Sequence, residues 1–376
     1  MDPPTESRRA NESAFTILGQ GSAVPHHSIG QKESVQIAVE HFCPSDKERR
    51  LLPALYRMTG IRRRHSVLLK RSADEPGDGP RHDFLRFPVD ENDMGPTVGQ
   101  RMEEYEREAF QLACRAAKEA LQASGVSSRD ITHLVTVSCS GFVAPGVDIK
   151  LMKMLALPPT VERAHVGFMG CQGALNGLRV AEGFCRDRPS ATVLLCAVEL
   201  CSIHYHYGWN PEQVVANALF ADGAAALIGA LRNGDDGWQL KASGAYLVPG
   251  SEDAMTWRIR DHGFVMSLSA QVPGLIESQL RPWIEEWLST NGLRLNEIAT
   301  WAVHPGGPRI LSSVTKALGL SPQSLQVSRD TLKNYGNMSS PTILFILNHL
   351  RRETAPTPCV ALAFGPGLTI EAVLFD

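Results

Sequence analysis

The chain has 376 residues, 43% of them hydrophobic, with a formal net charge of −3 and eight cysteines. That is ample apolar material for a large core, and too little basic charge to call for nucleic acid or an anionic membrane surface as a partner. The cysteines form no C-x-x-C pair and lack regular spacing, which argues against zinc and against a disulfide framework.

Residues 15–19 (FTILG) predict a short strand. Residues 67–100, rich in Pro, Asp and Gly, predict surface loops, and residues 102–123 predict a long helix with apolar positions at helical spacing. Buried strands are predicted over 131–137 and 191–198, a third strand over 224–228, and an apolar helix over 342–350. No apolar run approaches ~18 residues, so no membrane span is expected. The N-terminus, MDPPTESRRANES, lacks the apolar core of a signal peptide, and a cytoplasmic location is expected.

The second half echoes the first. GVSSRDITHLVTV from Gly125 matches GLRLNEIATWAVH from Gly292 in its glycine, its acidic residue before Ile and its apolar strand. The same interval carries Cys171 to Met338, one residue past Asn337. ALFADGAAALIGA and LAFGPGLTIEAVL form a third echo. The pattern predicts a duplicated α/β unit with a mostly buried sheet in each half. DDGWQ, residues 235–239, marks the boundary, giving halves 1–235 and 236–376.

Three polar residues fall at matching or adjoining turns. Cys171, in HVGFMGCQGALNGL, precedes a helix whose unpaired N–H groups favour a thiolate, although a cysteine among small residues also serves as filler. His304, in WAVHPGGPRI, ends an apolar strand, where ligand sites of α/β folds concentrate. Asn337, in NYGNMSS, occupies a turn before the apolar helix. By the duplication, Cys171 and Asn337 face each other across a pseudo-twofold axis. A Cys–His ion pair supplies a nucleophile, and Asn and His supply N–H groups to an oxygen that gains charge. That set suits thioester exchange followed by enolate formation.

VHPGGPRIL, NYGNMSS, AFGPGLTIE and ALFADGAAALI resemble motifs of the type III polyketide synthases, the chalcone synthase-like branch of the thiolase fold. The Cys segment, FMGCQGALNGLRVA, is closer to microbial members. The resemblance implies a duplicated five-layer αβαβα fold with mixed sheets and a Cys171–His304–Asn337 triad. It implies iterative decarboxylative condensation of malonyl-CoA onto an acyl-CoA starter held on Cys171, then cyclisation to an alkylpyrone or alkylresorcinol. CoA thioesters are substrates, no cofactor or metal is needed, and the chain forms a homodimer.

The resemblance also assigns a pocket. Phe220 is the gate between CoA tunnel and cavity, and Ser339, Gly365, Pro366 and Gly367 are further substrate-contacting residues. Ala144 replaces a methionine that plant members send into the partner's cavity. Met266, His204 and Trp257 replace cavity residues; the bulk of Trp257 favours lactonisation to a pyrone. Arg57 matches one CoA-binding residue, and either Arg62 to Arg64 or Arg309 substitutes for its unmatched lysine neighbours. Two alternatives remain open. One is a ketoacyl-ACP synthase III-like single condensation; the other is a catalytically silent thiolase-fold binding subunit.

Overall fold

The computed structural model describes residues 13–43, 45–72, 84–90, 92–234 and 237–376. The predicted boundary residues Asp235 and Asp236 and the first twelve residues lie outside them. The N-terminal half runs β1 (Ala14–Ala23), β2 (Ser28–Gly30), α1 (Gln31–Phe42), α2 (Asp46–Met58), β3 (Arg63–His65), α3 (Val98–Ser124), β4 (His133–Ser138), α4 (Val147–Met154), β5 (Glu162–Gly167), α5 (Gly173–Asp187), β6 (Thr192–Leu200), α6 (Pro211–Leu219) and β7 (Asp222–Arg232). The C-terminal half runs β8 (Gln239–Leu247), β9 (Met255–Arg260), β10 (Gly263–Leu268), α7 (Val272–Thr290), β11 (Thr300–Val303), α8 (Pro308–Leu318), α9 (Gln326–Tyr335), α10 (Pro341–Arg352), β12 (Cys359–Gly365) and β13 (Thr369–Phe375).

The predicted strands and the apolar helix are all present, mostly longer than predicted. Helix α3 starts four residues earlier than its apolar spacing implied. Thr97 caps it in a reciprocal box with Gln100, and Gly125 ends it in a left-handed conformation.

Nine strands form one sheet in the order β11-β12-β13-β8-β1-β7-β6-β4-β5. The two halves repeat one pairing scheme. Strand β4 runs parallel to β6, which is antiparallel to β7, and β7 is antiparallel to β1. In the same way β11 is parallel to β12, β12 antiparallel to β13, and β13 antiparallel to β8. The halves join where Phe15 and Thr16 of β1 meet Leu240 and Gln239 of β8.

Alternate strand residues enter different cores, because side chains of a strand point to opposite faces. Leu134, Leu194 and Ala224 pack against the alanine face of α3. Their neighbours Val135, Leu195 and Ala225 pack inward against Leu175 and Leu178 of α5 and Ile343 and Leu347 of α10. From the other half, Ala361 and Val373 enter this same central layer, while Val360 and Ala372 face α7 and α8. The result is five layers: α3, sheet, α5 with α10, sheet, α7 with α8. No helix is long and apolar enough to cross a membrane among the described residues.

Leu347 is fully buried in the central layer. Leu347→Ala is expected to lower unfolding free energy by about 2–5 kcal/mol in chemical denaturation. A loss below about 1 kcal/mol would contradict this placement of α10.

Candidate active site

The chain leaves β5 and turns sharply at Gly170, whose φ of +68° is left-handed. A 3-10 turn, Gly170–Gln172, then carries Cys171, and α5 begins at Gly173. Cys171 therefore precedes the α-helix, as the sequence predicts, by two residues. The turn is wedged against the loop between β12 and β13. A Cβ on Gly170 would lie 2.6 Å from Pro366 Cδ, and one on Gly365 would lie 2.6 Å from Gln172 Cδ. Thr369 Oγ1 donates to Gln172 Oε1 at 2.8 Å. The glycines therefore serve close packing that fixes the nucleophile turn, and of the Gly-Pro-Gly segment only Pro366 faces the cavity.

His304 follows β11 and is 1% exposed. Its backbone N–H donates to Leu362 at 2.8 Å, extending the β11–β12 pairing. Neither ring nitrogen has a hydrogen-bond partner among the described residues. Asn337, also 1% exposed, forms a parallel bridge with Phe220. Its Oδ1 accepts the N–H of Ser339 at 2.8 Å, with Ser339 held at a φ of +55°. That bond commits the oxygen to the backbone and turns Nδ2 toward the Cys171 thiol, with a long contact to Gly306 O at 3.5 Å.

Cys171, His304 and Asn337 line one cavity, together with Phe220, Met266 and Phe364. The three residues singled out from separate motifs do converge. Their electrostatics differ from the sequence expectation. Burial pushes the Cys171 thiol up to about 11, an effect that hydrogen bonds from Ser339 and Asn337 reduce and that Glu199 reinforces. Burial alone pushes His304 down to about 3. Each shift favours the neutral form, because both charged forms lose their hydration in the same closed space, and this opposes the expected ion pair.

Phe220 lines both this cavity and a larger one, as do Cys171, Ala216, Met255 and Met266. Ser339, Trp257, Met266 and His204 line the larger chamber. His204 donates from Nε2 to Ser140 O at 2.6 Å and accepts the Phe264 N–H on Nδ1 at 3.0 Å. Burial pushes it down to about 3, so it is a neutral, fully used wall residue. Trp257 Nε1 donates to Cys139 O at 2.7 Å, which fixes the indole across the chamber.

Ala144 is not brought to either cavity: it lies in a separate surface groove with Phe142, Pro145 and Arg163. Arg57 and Arg309 are exposed and outside the cavities. A Cβ on Gly60 would lie 3.9 Å from Pro308 Cγ, so the segments carrying Arg57 and Arg309 approach each other at one rim of the protein.

Sequence reasoning missed several wall residues. Cys139, Ser140 and Cys201 line the chamber at the ends of β4 and β6, the sheet edge where sites concentrate. Leu68, Leu69 and Leu85, read as surface loop, are buried and line it too. No group of three or more His, Cys, Asp or Glu among the described residues could hold a metal ion.

Comparison with known proteins decides the family. Sequence models of the chalcone and stilbene synthase N-terminal and C-terminal domains match residues 4–231 and 239–376. The chain belongs to the chalcone and stilbene synthase family. Among this synthase's relatives is the "Alpha-pyrone synthesis polyketide synthase-like Pks18" of Mycobacterium tuberculosis, 32% identical over 100% of this chain and 92% of that one. The 1,3,6,8-tetrahydroxynaphthalene synthase of Streptomyces peucetius is 31% identical over 96% and 92%. The crystal structure of PKS-I from the brown alga Ectocarpus siliculosus superposes with a TM-score of 0.90 at 29% identity, covering 99% of this chain and 100% of that one.

With burial favouring the neutral thiol, alkylation of Cys171 by iodoacetamide is expected to quicken about tenfold per pH unit from pH 7 to pH 10, because only the thiolate reacts. A rate that levels off below pH 8 would instead reveal a preformed ion pair.

Proposed function

We propose that this synthase is a type III polyketide synthase that condenses malonyl-CoA iteratively onto an acyl starter carried by Cys171. The observation that carries the reading is the meeting of Cys171, His304 and Asn337 on one buried cavity, with both His304 nitrogens free.

In this reading an acyl-CoA enters and its carbonyl oxygen meets the Asn337 Nδ2–H and the His304 N–H. The Cys171 thiol gives its proton to the free His304 nitrogen as its sulfur bonds the carbonyl carbon. CoA leaves and takes that proton. Malonyl-CoA then places its thioester oxygen at the same two donors. Loss of CO2 leaves an enolate whose oxygen they hold, and preorganised donors of this kind stabilise such charge strongly. Having passed its proton to CoA, His304 is again the neutral imidazole that burial favours, a poor acid that spares the carbanion from quenching. The carbanion attacks the acyl-Cys171 carbonyl, the new C–C bond forms, and the C–S bond breaks. The lengthened chain returns to the sulfur for another round, and finally cyclises to an alkylpyrone or alkylresorcinol. Trp257, held rigidly in the chamber wall, narrows the space for a folded chain and favours the pyrone.

CoA phosphates are assigned to the rim that carries Arg57 and Arg309, since guanidinium groups suit phosphate oxygens. The synthase is proposed to act as a homodimer. Strand β5 ends the sheet with one edge unpaired among the described residues, and it adjoins the groove that holds Ala144. The alternatives of a single carrier-protein-dependent condensation and of a silent binding subunit are not favoured, given the family and the complete triad.

Purified protein with malonyl-CoA and acetyl, medium-chain, long-chain, benzoyl or coumaroyl CoA is expected to yield pyrones or resorcinols by mass spectrometry. Cys171→Ala is expected to yield none. Product formation by the variant, or none by either protein with any starter, would count against this function.

A further inference from the structure

The chamber that runs on from Cys171 has mainly apolar walls, yet the half-buried Ser66 and Ser202 open onto it. Their hydroxyls belong to one hydrogen-bonded chain whose direction is set at its buried end. Asp222 is fully buried and accepts from Val67 N–H at 2.8 Å, Ser202 N–H at 2.8 Å and Ser202 Oγ at 2.6 Å. A carboxylate only accepts, so the Ser202 proton goes to Asp222. Ser66 Oγ lies 2.7 Å from Ser202 Oγ and gives its own proton toward it. Ser66 also stands near the carboxylate, which draws the proton the same way. Burial pushes the Asp222 carboxyl up to about 6, which leaves it ionised at pH 7.5 and preserves this direction. Leu68 N–H fills one Ser66 lone pair at 3.1 Å. Each hydroxyl then retains one lone pair and no proton to offer.

We propose that Ser66 and Ser202 form a hydrogen-bond-accepting site in the chamber wall that binds a hydroxyl group carried by the substrate chain. The proposal rests on the polyketide synthase reading, in which the acyl chain occupies this chamber. An O–H donor completes the two serines. A carbonyl or carboxylate oxygen sets lone pair against lone pair, and a plain hydrocarbon leaves buried acceptors unmet, which is a source of strong discrimination. The wall also includes Ile29, Ile37, Leu69 and Leu85, so the hydroxyl sits on an otherwise apolar chain. Two sources carry such a donor: a hydroxylated acyl starter, and the enol O–H of the growing β-keto chain.

The test uses wild type, Ser66→Ala and Ser202→Ala with malonyl-CoA. Starters of one length, unsubstituted or hydroxylated at C3, mid-chain or the terminus, compete in each assay. Intact-protein mass spectrometry reads the acyl group on Cys171 in parallel. Wild type is expected to use one hydroxylated isomer about tenfold better than the plain chain, and that ratio is expected to fall toward one in both variants. The ratio is internal to each protein, so partial misfolding does not mimic it. If the donor is the enol, no starter isomer is preferred, and the product-length distribution from the plain starter shifts in both variants. That result also supports the site. Equal use of all starters with the same product distribution in all three proteins overturns it. If Cys171 still loads in that case, the polyketide synthase reading stands; absence of loading by every starter overturns both.

Discussion

The site depends on a central layer of two mostly buried helices. Helices α5 and α10 lie between the two halves of the folded nine-stranded sheet and are buried along most of their lengths. Gly177 of α5 shows how tight the fit is: a Cβ there would lie 2.7 Å from Leu195 and 2.9 Å from Val137. Close packing of this kind fixes position, because a shift of either helix creates overlap on one side and a void on the other. Cys171 and Asn337 each sit just before one of these helices. Their meeting is therefore a consequence of how the core is filled, and the loops carrying them have little freedom to move apart.

A buried carboxylate reinforces that meeting from behind. Glu199, at the end of β6, accepts the N–H groups of Cys139 and Ser140 at 2.9 and 3.0 Å, and the hydroxyls of Ser140 and Ser340 at 2.6 Å each. Ser340 immediately precedes α10, so the Glu199 side chain ties a strand end of the first half to the central helix of the second. Burial raises the Glu199 carboxyl, and these donors oppose that rise. An isolated buried charge is costly, and this one is tolerated because it is multiply hydrogen-bonded. Glu199 also contributes to the high pKa of Cys171. The clamp that builds the site thus adds to the burial that disfavours the Cys171 thiolate.

The strands were legible because continuous apolar runs such as ATVLLCAV reflect burial on both faces, and the duplication was legible because Gly125 and Gly292 end corresponding helices. Cys171, His304 and Asn337 were legible as motifs at turns. Other features carry no such signal. Leu68, Leu69 and Leu85 are apolar residues in irregular backbone, where no periodicity separates a cavity wall from a surface loop. The start of α3 lay in a Pro- and Gly-rich stretch that hid the Thr97–Gln100 cap. His204 and Trp257 were placed by resemblance, and only the structure shows that hydrogen bonds commit both to the wall. The burial that opposes a Cys171–His304 ion pair was not legible, because sequence reveals which partners meet and says nothing of the water they lose.

The central claim is that His304 and Asn337 hold the enolate oxygen independently of the nucleophile. Its most direct test is release of CO2 from malonyl-CoA by Cys171→Ala, compared with Cys171→Ala/His304→Ala and Cys171→Ala/Asn337→Ala. The account predicts that the single variant still decarboxylates malonyl-CoA to acetyl-CoA, and that either second substitution slows it by about 10²–10³-fold. Equal decarboxylation by all three variants would contradict it.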